Sequence, residues 1–474
     1  MVFSSIIFLV YFLPVFFLVY FLLPTTFKNP FLLIASIVFF SWGAPVFIGV
    51  VLISILVDFF LVKKLHVQAG RKKKLLLLVS LVFNIGLLAY FKYANFFVEN
   101  INLLVSTWGA NGIVNWKEIV LPIGTSFFTF KKISYTVDVY RGTHAPFTNI
   151  VNYSLFILLF PELVAGPIVR FNDIADQITD RRAQENIDNR LMGFYRFVIG
   201  LSKKVLIANI LGVEVDKIFN SNISDLSSSI AWIGIIAYTF QIYFDFSGYS
   251  DMAIGLAKMM GFSFPENFDN PYISRSITEF WRRWHMTLGK WMKDYLYIPL
   301  GGNQVSSQRL YFNLVLVFFL SGLWHGASWN FVVWGCYHGF FLIADRIFLK
   351  RFLDSIGKAP SIIVTFFIVM IGWVFFRADD MSDASAYLAK LFSFDFKSSH
   401  FIFLNDFYTM GAIAIFLSFA PAYTPGLNLK KNLSGTIQSA PRTILLSFIC
   451  MILLTLSIAG IFSGGFNPFI YYRF

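Results

Sequence analysis

Three features of this chain predict an all-α polytopic membrane protein. Of its 474 residues, 57% are hydrophobic and 14% charged, against about 25% charged in soluble domains. Apolar runs of bilayer-spanning length recur from the first residues to the last. The polar blocks between them, the largest near 170–190 and 379–400, are loop-sized. One membrane-embedded domain over 1–474 is therefore expected.

Spans are expected near 3–23, 31–43, 46–62 and 75–98. The first run has neither a basic start nor a small-residue cleavage site, so it reads as a retained span rather than a signal peptide. Lys63, Lys64, Arg71, Lys72, Lys73 and Lys74 form the densest basic loop, expected in the cytoplasm, with 100–116 outside. Leu121-Pro122-Ile123-Gly124 opens a segment whose Pro, Gly and hydroxyl residues predict a broken or re-entrant element. Pro161-Glu162-Leu163-Val164-Ala165-Gly166-Pro167 ends another run in the same way, and Glu162 needs a buried partner or an interfacial position. Further apolar segments lie near 192–219 and 229–260. The second holds Asp245 and Asp251, costly in such surroundings without partners, in either a functional or a structural network.

Later spans near 360–376, 407–420 and 443–463 bring the count to about eleven. Lys430, Lys431 and Arg442 precede the last one, which puts the tail 466–474 on the extracytoplasmic side. The excess of 38 Lys and Arg over 26 Asp and Glu, +12, signals orientation and contact with anionic membrane lipids. Nucleic-acid binding is excluded, because these residues sit in short inter-helix loops. Cys336 and Cys450 lie in apolar segments and imply no disulfide framework.

The run from 310 to 344 contains no Asp, Glu, Lys or Arg and is too long for one straight crossing. Two segments meeting at Gly322, Gly326 and Ser328 are expected, with His325 at the break. An imidazole there is expensive without partners, so a catalytic and a structural role are both open. Upstream, positions 281, 284, 285, 288 and 292 follow helical spacing and put Trp281, Trp284, His285, Leu288 and Met292 on one stripe. That stripe is either an interfacial face or one that delivers His285 inward. No spacing of the six histidines suits a metal, and no metal site is expected.

Trp281-Arg282-Arg283-Trp284-His285, followed by Tyr295-Leu296-Tyr297-Ile298-Pro299-Leu300-Gly301-Gly302-Asn303, resembles the membrane-bound O-acyltransferase superfamily. Leu323-Trp324-His325-Gly326-Ala327-Ser328-Trp329-Asn330 is similar to its signature histidine segment. Leu121-Pro122-Ile123-Gly124, Ala165-Gly166-Pro167 and the 243–251 segment bring the likeness closest to the bacterial alginate O-acetyltransferase branch. The resemblance implies a ring of helices around a central funnel, with His325 and His285 catalytic. It also implies acetyl-CoA as acyl donor, with no bound cofactor, in the bacterial inner (cytoplasmic) membrane. An extracytoplasmic SGNH-type acetyltransferase or esterase partner would serve a cell-surface or exported polysaccharide. Lys131-Lys132 and Glu162 depart from the pattern, at positions where relatives more often carry neutral or amide residues.

In that chemistry His325 is the base and His285 a second proton-handling or oxyanion-polarising group. Trp324, Ser328, Asn330, Asp245 and Asp251 are candidate supporting residues. Ser328 lacks a nucleophile elbow, and His338 reads as structural. The tail matches a Phe-x-Tyr-x-x-Phe pattern found in small partners of teichoic-acid D-alanylation, at Phe469, Tyr471 and Phe474. Tyr471 is thereby a candidate acyl relay. The alternatives are D-alanyl-type transfer from a carrier protein, a non-enzymatic transporter, and a structural component of an export complex.

Overall fold

The computed structural model describes residues 1–108, 116–122, 124–396, 401–423, 440–464 and 469. Every regular element among them is helical. Among the described residues, six helical stretches are long and apolar enough to cross a membrane: Pro45–Val67, Gly70–Thr107, Ser228–Met259, Trp329–Ser355, Lys358–Arg377 and Ala440–Ser463. The other expected spans correspond to helices that are shorter, more polar or broken by π turns. The described chain divides into two compact units.

The first unit runs essentially from Ile7 to Ala183. A π-helix at Ile7–Phe12 leads into α1 (Leu13–Leu22), then α2 (Thr25–Gly43), α3 (Ile48–Val67) and α4 (Gly70–Thr107). At ~1.5 Å per residue α4 is far longer than a bilayer core. It therefore takes Arg71, Lys72, Lys73 and Lys74 into its first turns instead of leaving them in a loop, and carries on through the stretch read as an outer connection. Phe8, Phe12, Phe16 and Phe39 all meet Phe160, so the abundance of Phe builds an interdigitated aromatic core.

The segment expected to be broken begins at Gly124, in the left-handed region at φ 80°. A Cβ there would lie 2.6 Å from the Leu163 carbonyl oxygen, so only glycine permits the approach. After it α5 (Thr125–Arg141) is buried over most of its length, followed by α6 (Ile150–Leu158) and α7 (Phe171–Thr179). Glu162 is buried, and its Oε1 accepts from Lys131 Nζ at 2.6 Å. The two departures from the family pattern thus pair with each other. Lys132 Nζ donates to Ser54 Oγ at 2.5 Å. Nearby Asp58 accepts from Ser80 Oγ, Asn84 Nδ2 and Tyr153 Oη at 2.7, 2.9 and 2.6 Å.

The second unit holds α8 (Ile187–Ser202), a π segment (Lys203–Ala208), α9 (Asn209–Phe219) and α10 (Ser228–Met259). Gly200 and Gly248 let α8 and α10 touch backbone to backbone, since a Cβ on Gly200 would sit 2.5 Å from the Gly248 oxygen. The π segment turns two lysines onto α10: Lys204 pairs with Asp245 at 2.7 Å and Lys203 with Asp251 at 2.7 Å. Arg196 binds Asp251 at 2.9 Å and Glu266 at 2.6 Å. Both aspartates therefore have ion-pair partners, which pin α8 and the π segment after it to α10.

The chain continues through α11 (Ile277–Arg283), α12 (Met286–Met292), α13 (Ser307–His325), α14 (Trp329–Ala344) and α15 (Lys350–Ser355). It ends with α16 (Lys358–Arg377), α17 (Met381–Leu391), α18 (Asn405–Phe419) and α19 (Ala440–Ser463). Cys450 of α19 is a free thiol packed against Met192, Tyr195 and Val198 of α8.

Candidate active site

The two sequence-singled histidines come together in the second unit, each at an interruption of helix. His325 is the last residue of α13, and Gly326 is extended after it. α13 and α14 fold back on each other so closely that a Cβ on Gly322 would lie 2.2 Å from the Phe331 oxygen. The link between them is tied down by side chains. Ser328 Oγ donates to Asn330 Oδ1 at 2.6 Å, and Asn330 Nδ2 donates to the Ala378 oxygen at 2.6 Å. Ser328 and Asn330 thus set the loop that follows His325, and the serine hydroxyl is engaged in that task. The His325 ring is buried, with Trp324, Trp334 and Phe376 edge-on at 4.8, 5.0 and 5.2 Å between centroids.

At His285 the structure departs from the single continuous stripe. The helix stops at Arg283, Trp284 is extended, and His285 sits in the left-handed region at φ 44° and ψ 52°. Tertiary pairing overrides the helical spacing. Asp269 N–H donates to the Arg283 oxygen and Met286 N–H to the Asn267 oxygen, both at 2.9 Å, so the chain is extended where the two segments meet. A non-glycine residue in this conformation costs about 1–3 kcal/mol, and such strain collects at functional sites. The cost yields a prediction: His285→Gly unfolds at a higher temperature than His285→Ala, by about 1 kcal/mol of stability, although both lose the imidazole. A thermal-shift comparison in detergent checks it; equal or reversed midpoints contradict it.

The His285 ring is 1% exposed. Phe246 meets it edge-on at 4.7 Å, and Trp324 lies 6.2 Å away, so Trp324 stands between the two histidines. Burial pushes the His285 imidazole down, to about 3. It is therefore neutral at physiological pH, with one ring nitrogen a donor and the other an acceptor. Its Nδ1 lies 2.9 Å from Asn267 Oδ1. Asn267, Ser247, Ser250, Tyr243 and Phe268 line a cavity of about 140 Å³ in the same unit.

The model of the MBOAT family, described as membrane-bound O-acyltransferases, matches residues 32–376, which include both histidines. The chain belongs to the membrane-bound O-acyltransferase family. A probable alginate O-acetylase of Azotobacter vinelandii is 43% identical over 83% of this chain and 78% of its own length. Another, from Pseudomonas putida, is 37% identical over the full length of both proteins. A peptidoglycan O-acetyltransferase of Helicobacter pylori is 36% identical over 81% of this chain and 78% of its own. The protein is a membrane-embedded, multi-pass O-acyltransferase.

Within this O-acyltransferase, Trp324, Ser328 and Asn330 surround or support His325, while Asp245 and Asp251 pair with Lys204 and with Arg196 and Lys203, and Asp251 also lines the cavity beside Asn267. His338 joins the His325 cluster through Trp334, at 5.1 Å, because α14 runs back along α13. Spacing along a single helix does not reveal that. Asn267, Phe246, Trp334 and Phe376 are contributors that sequence reasoning missed. For Asn267 the signal was present: Pro265 and Asn270-Pro271 bracket it and mark a non-helical stretch. Tyr471 and Phe474 lie outside the described residues. Phe469 is buried, and its ring centroid is 4.8 Å from Tyr249 and 5.9 Å from Phe246.

Proposed function

We propose that this enzyme moves an acetyl group from cytosolic acetyl-CoA across the bacterial inner membrane for O-acetylation of a cell-surface or exported polysaccharide. The observation that carries the reading is the burial of His285 and His325 around Trp324 in a chain so similar to alginate and peptidoglycan O-acetylating proteins. The attacking hydroxyl oxygen forms a bond to the thioester carbonyl carbon while its proton passes to His325. The carbon–sulfur bond then breaks and the thiolate takes that proton, leaving an ester and the free thiol of CoA. His285 is the second proton-handling or oxyanion-polarising group. Acetyl-CoA acts as substrate, and no resident cofactor or metal is invoked.

The first hydroxyl is that of Tyr471, which passes the acetyl group to an extracytoplasmic SGNH-type partner. Support comes from Phe469, two residues earlier in the tail, which packs on Phe246, the ring that also meets His285 edge-on. Mass spectrometry of the C-terminal peptide after incubation with acetyl-CoA tests the relay. Acetyl-Tyr471 is expected in the wild type and not in His325→Ala. Turnover of acetyl-CoA with an unmodified tail sinks the relay while leaving the transferase intact.

A further inference from the structure

Asn267 is held by contacts that leave its amide one orientation. Its Oδ1 faces the Thr287 backbone N–H at 3.4 Å and Thr287 Oγ1 at 2.8 Å, and its Nδ2 faces Ser250 Oγ at 3.0 Å. A backbone N–H can only donate. The amide atom before it must therefore be the oxygen, and the NH₂ group goes to the serine. His285 Nδ1 lies 2.9 Å from that same oxygen. An oxygen acceptor requires a hydrogen on Nδ1. In the neutral ring, Nε2 then carries a bare lone pair. Nε2 is itself buried, with no hydrogen-bond partner among the described residues.

We infer that Asn267 is a positioning residue that locks His285 in its Nδ1–H form, so that Nε2 accepts a hydrogen bond from a hydroxyl or thiol that reaches it. The inference rests on the proposed acyl transfer and sharpens it. Of the two roles given to His285 there, it selects proton acceptance, because a lone pair at Nε2 repels an oxyanion. The left-handed backbone at His285 fits this division of labour. It points the ring at Asn267, and the Met286 N–H to Asn267 carbonyl bond clamps the same two residues through their backbones. Thr287 completes the clamp from the first turn of α12.

The test uses the full-length protein, ¹⁵N-labelled at histidine, in lipid nanodiscs. Solid-state NMR identifies the His285 ring as the signal lost in His285→Gln. The wild type is expected to show hydrogen on Nδ1 and a bare Nε2. Asn267→Asp, which still accepts from Nδ1–H, keeps that form, and Asn267→Leu loses it. Turnover of acetyl-CoA falls about 10- to 100-fold in Asn267→Leu, as removal of a ring-orienting partner does elsewhere. KM for acetyl-CoA is little changed in that variant, and Asn267→Asp recovers most of the rate. An Nε2–H ring in the wild type overturns the inference, and so does a tautomer unmoved in Asn267→Leu. A shifted tautomer with unchanged turnover overturns its catalytic half. If the wild type itself fails to turn over acetyl-CoA, the proposed function falls, while the NMR result still decides the tautomer.

Discussion

A protein carrying His325→Ala is expected to lose O-acyl transfer by about 10²- to 10⁴-fold, the span that a positioned proton-transfer group contributes. The aromatic rings that pack on His325, those of Trp324, Trp334 and Phe376, offer faces and edges rather than a base. Loss of the ring leaves the α13–α14 hairpin in place, since the hairpin is held by the Gly322 backbone contact and by Asn330 on the Ala378 oxygen. Thioester cleavage by purified protein, read beside its thermal unfolding midpoint, separates the two effects. Ser328→Ala is the informative companion. It removes one hydrogen bond, a matter of about 1 kcal/mol, and should leave most of the activity. Loss of transfer in Ser328→Ala equal to that in His325→Ala would instead make the serine a nucleophile.

Lys131→Met is expected to be among the most destabilising single changes in the first unit. Removing one partner of a buried ion pair strands the other charge, at a cost of about 3–5 kcal/mol. Lys131 and Glu162 are 2% and 1% exposed and 2.6 Å apart. The double variant Lys131→Gln with Glu162→Gln restores a neutral, hydrogen-bonding pair and should recover most of the loss. Unfolding midpoints of both singles and the double in one detergent decide the matter. Singles close to wild type, or a double no better than the worse single, contradict the pairing.

The break at His325 was legible because it is written locally, in Gly322, Gly326, Ser328 and a charge-free run too long for one helix. The break at His285 was not. Trp281, Trp284, His285, Leu288 and Met292 keep helical spacing straight through it, and the interruption comes from pairing with 267–269. Asp245 and Asp251 announced a need for partners but not their identity. Lys203, Lys204 and Arg196 reach them from α8 and its π segment, which the sequence shows only as one more apolar run. Glu162 had two readings, and the choice between them lay with Lys131, 31 residues earlier.

Transfer of acetyl from acetyl-CoA under His325 control is tested by offering isotopically labelled acetyl-CoA and a D-alanyl-charged carrier protein, separately, to the full-length protein in nanodiscs. Release of CoA and capture of labelled acetyl are followed in wild type and in His325→Ala. Turnover of acetyl-CoA alone is expected, abolished in His325→Ala. Turnover of only the charged carrier, or acetyl-CoA cleavage that survives in His325→Ala, would contradict it.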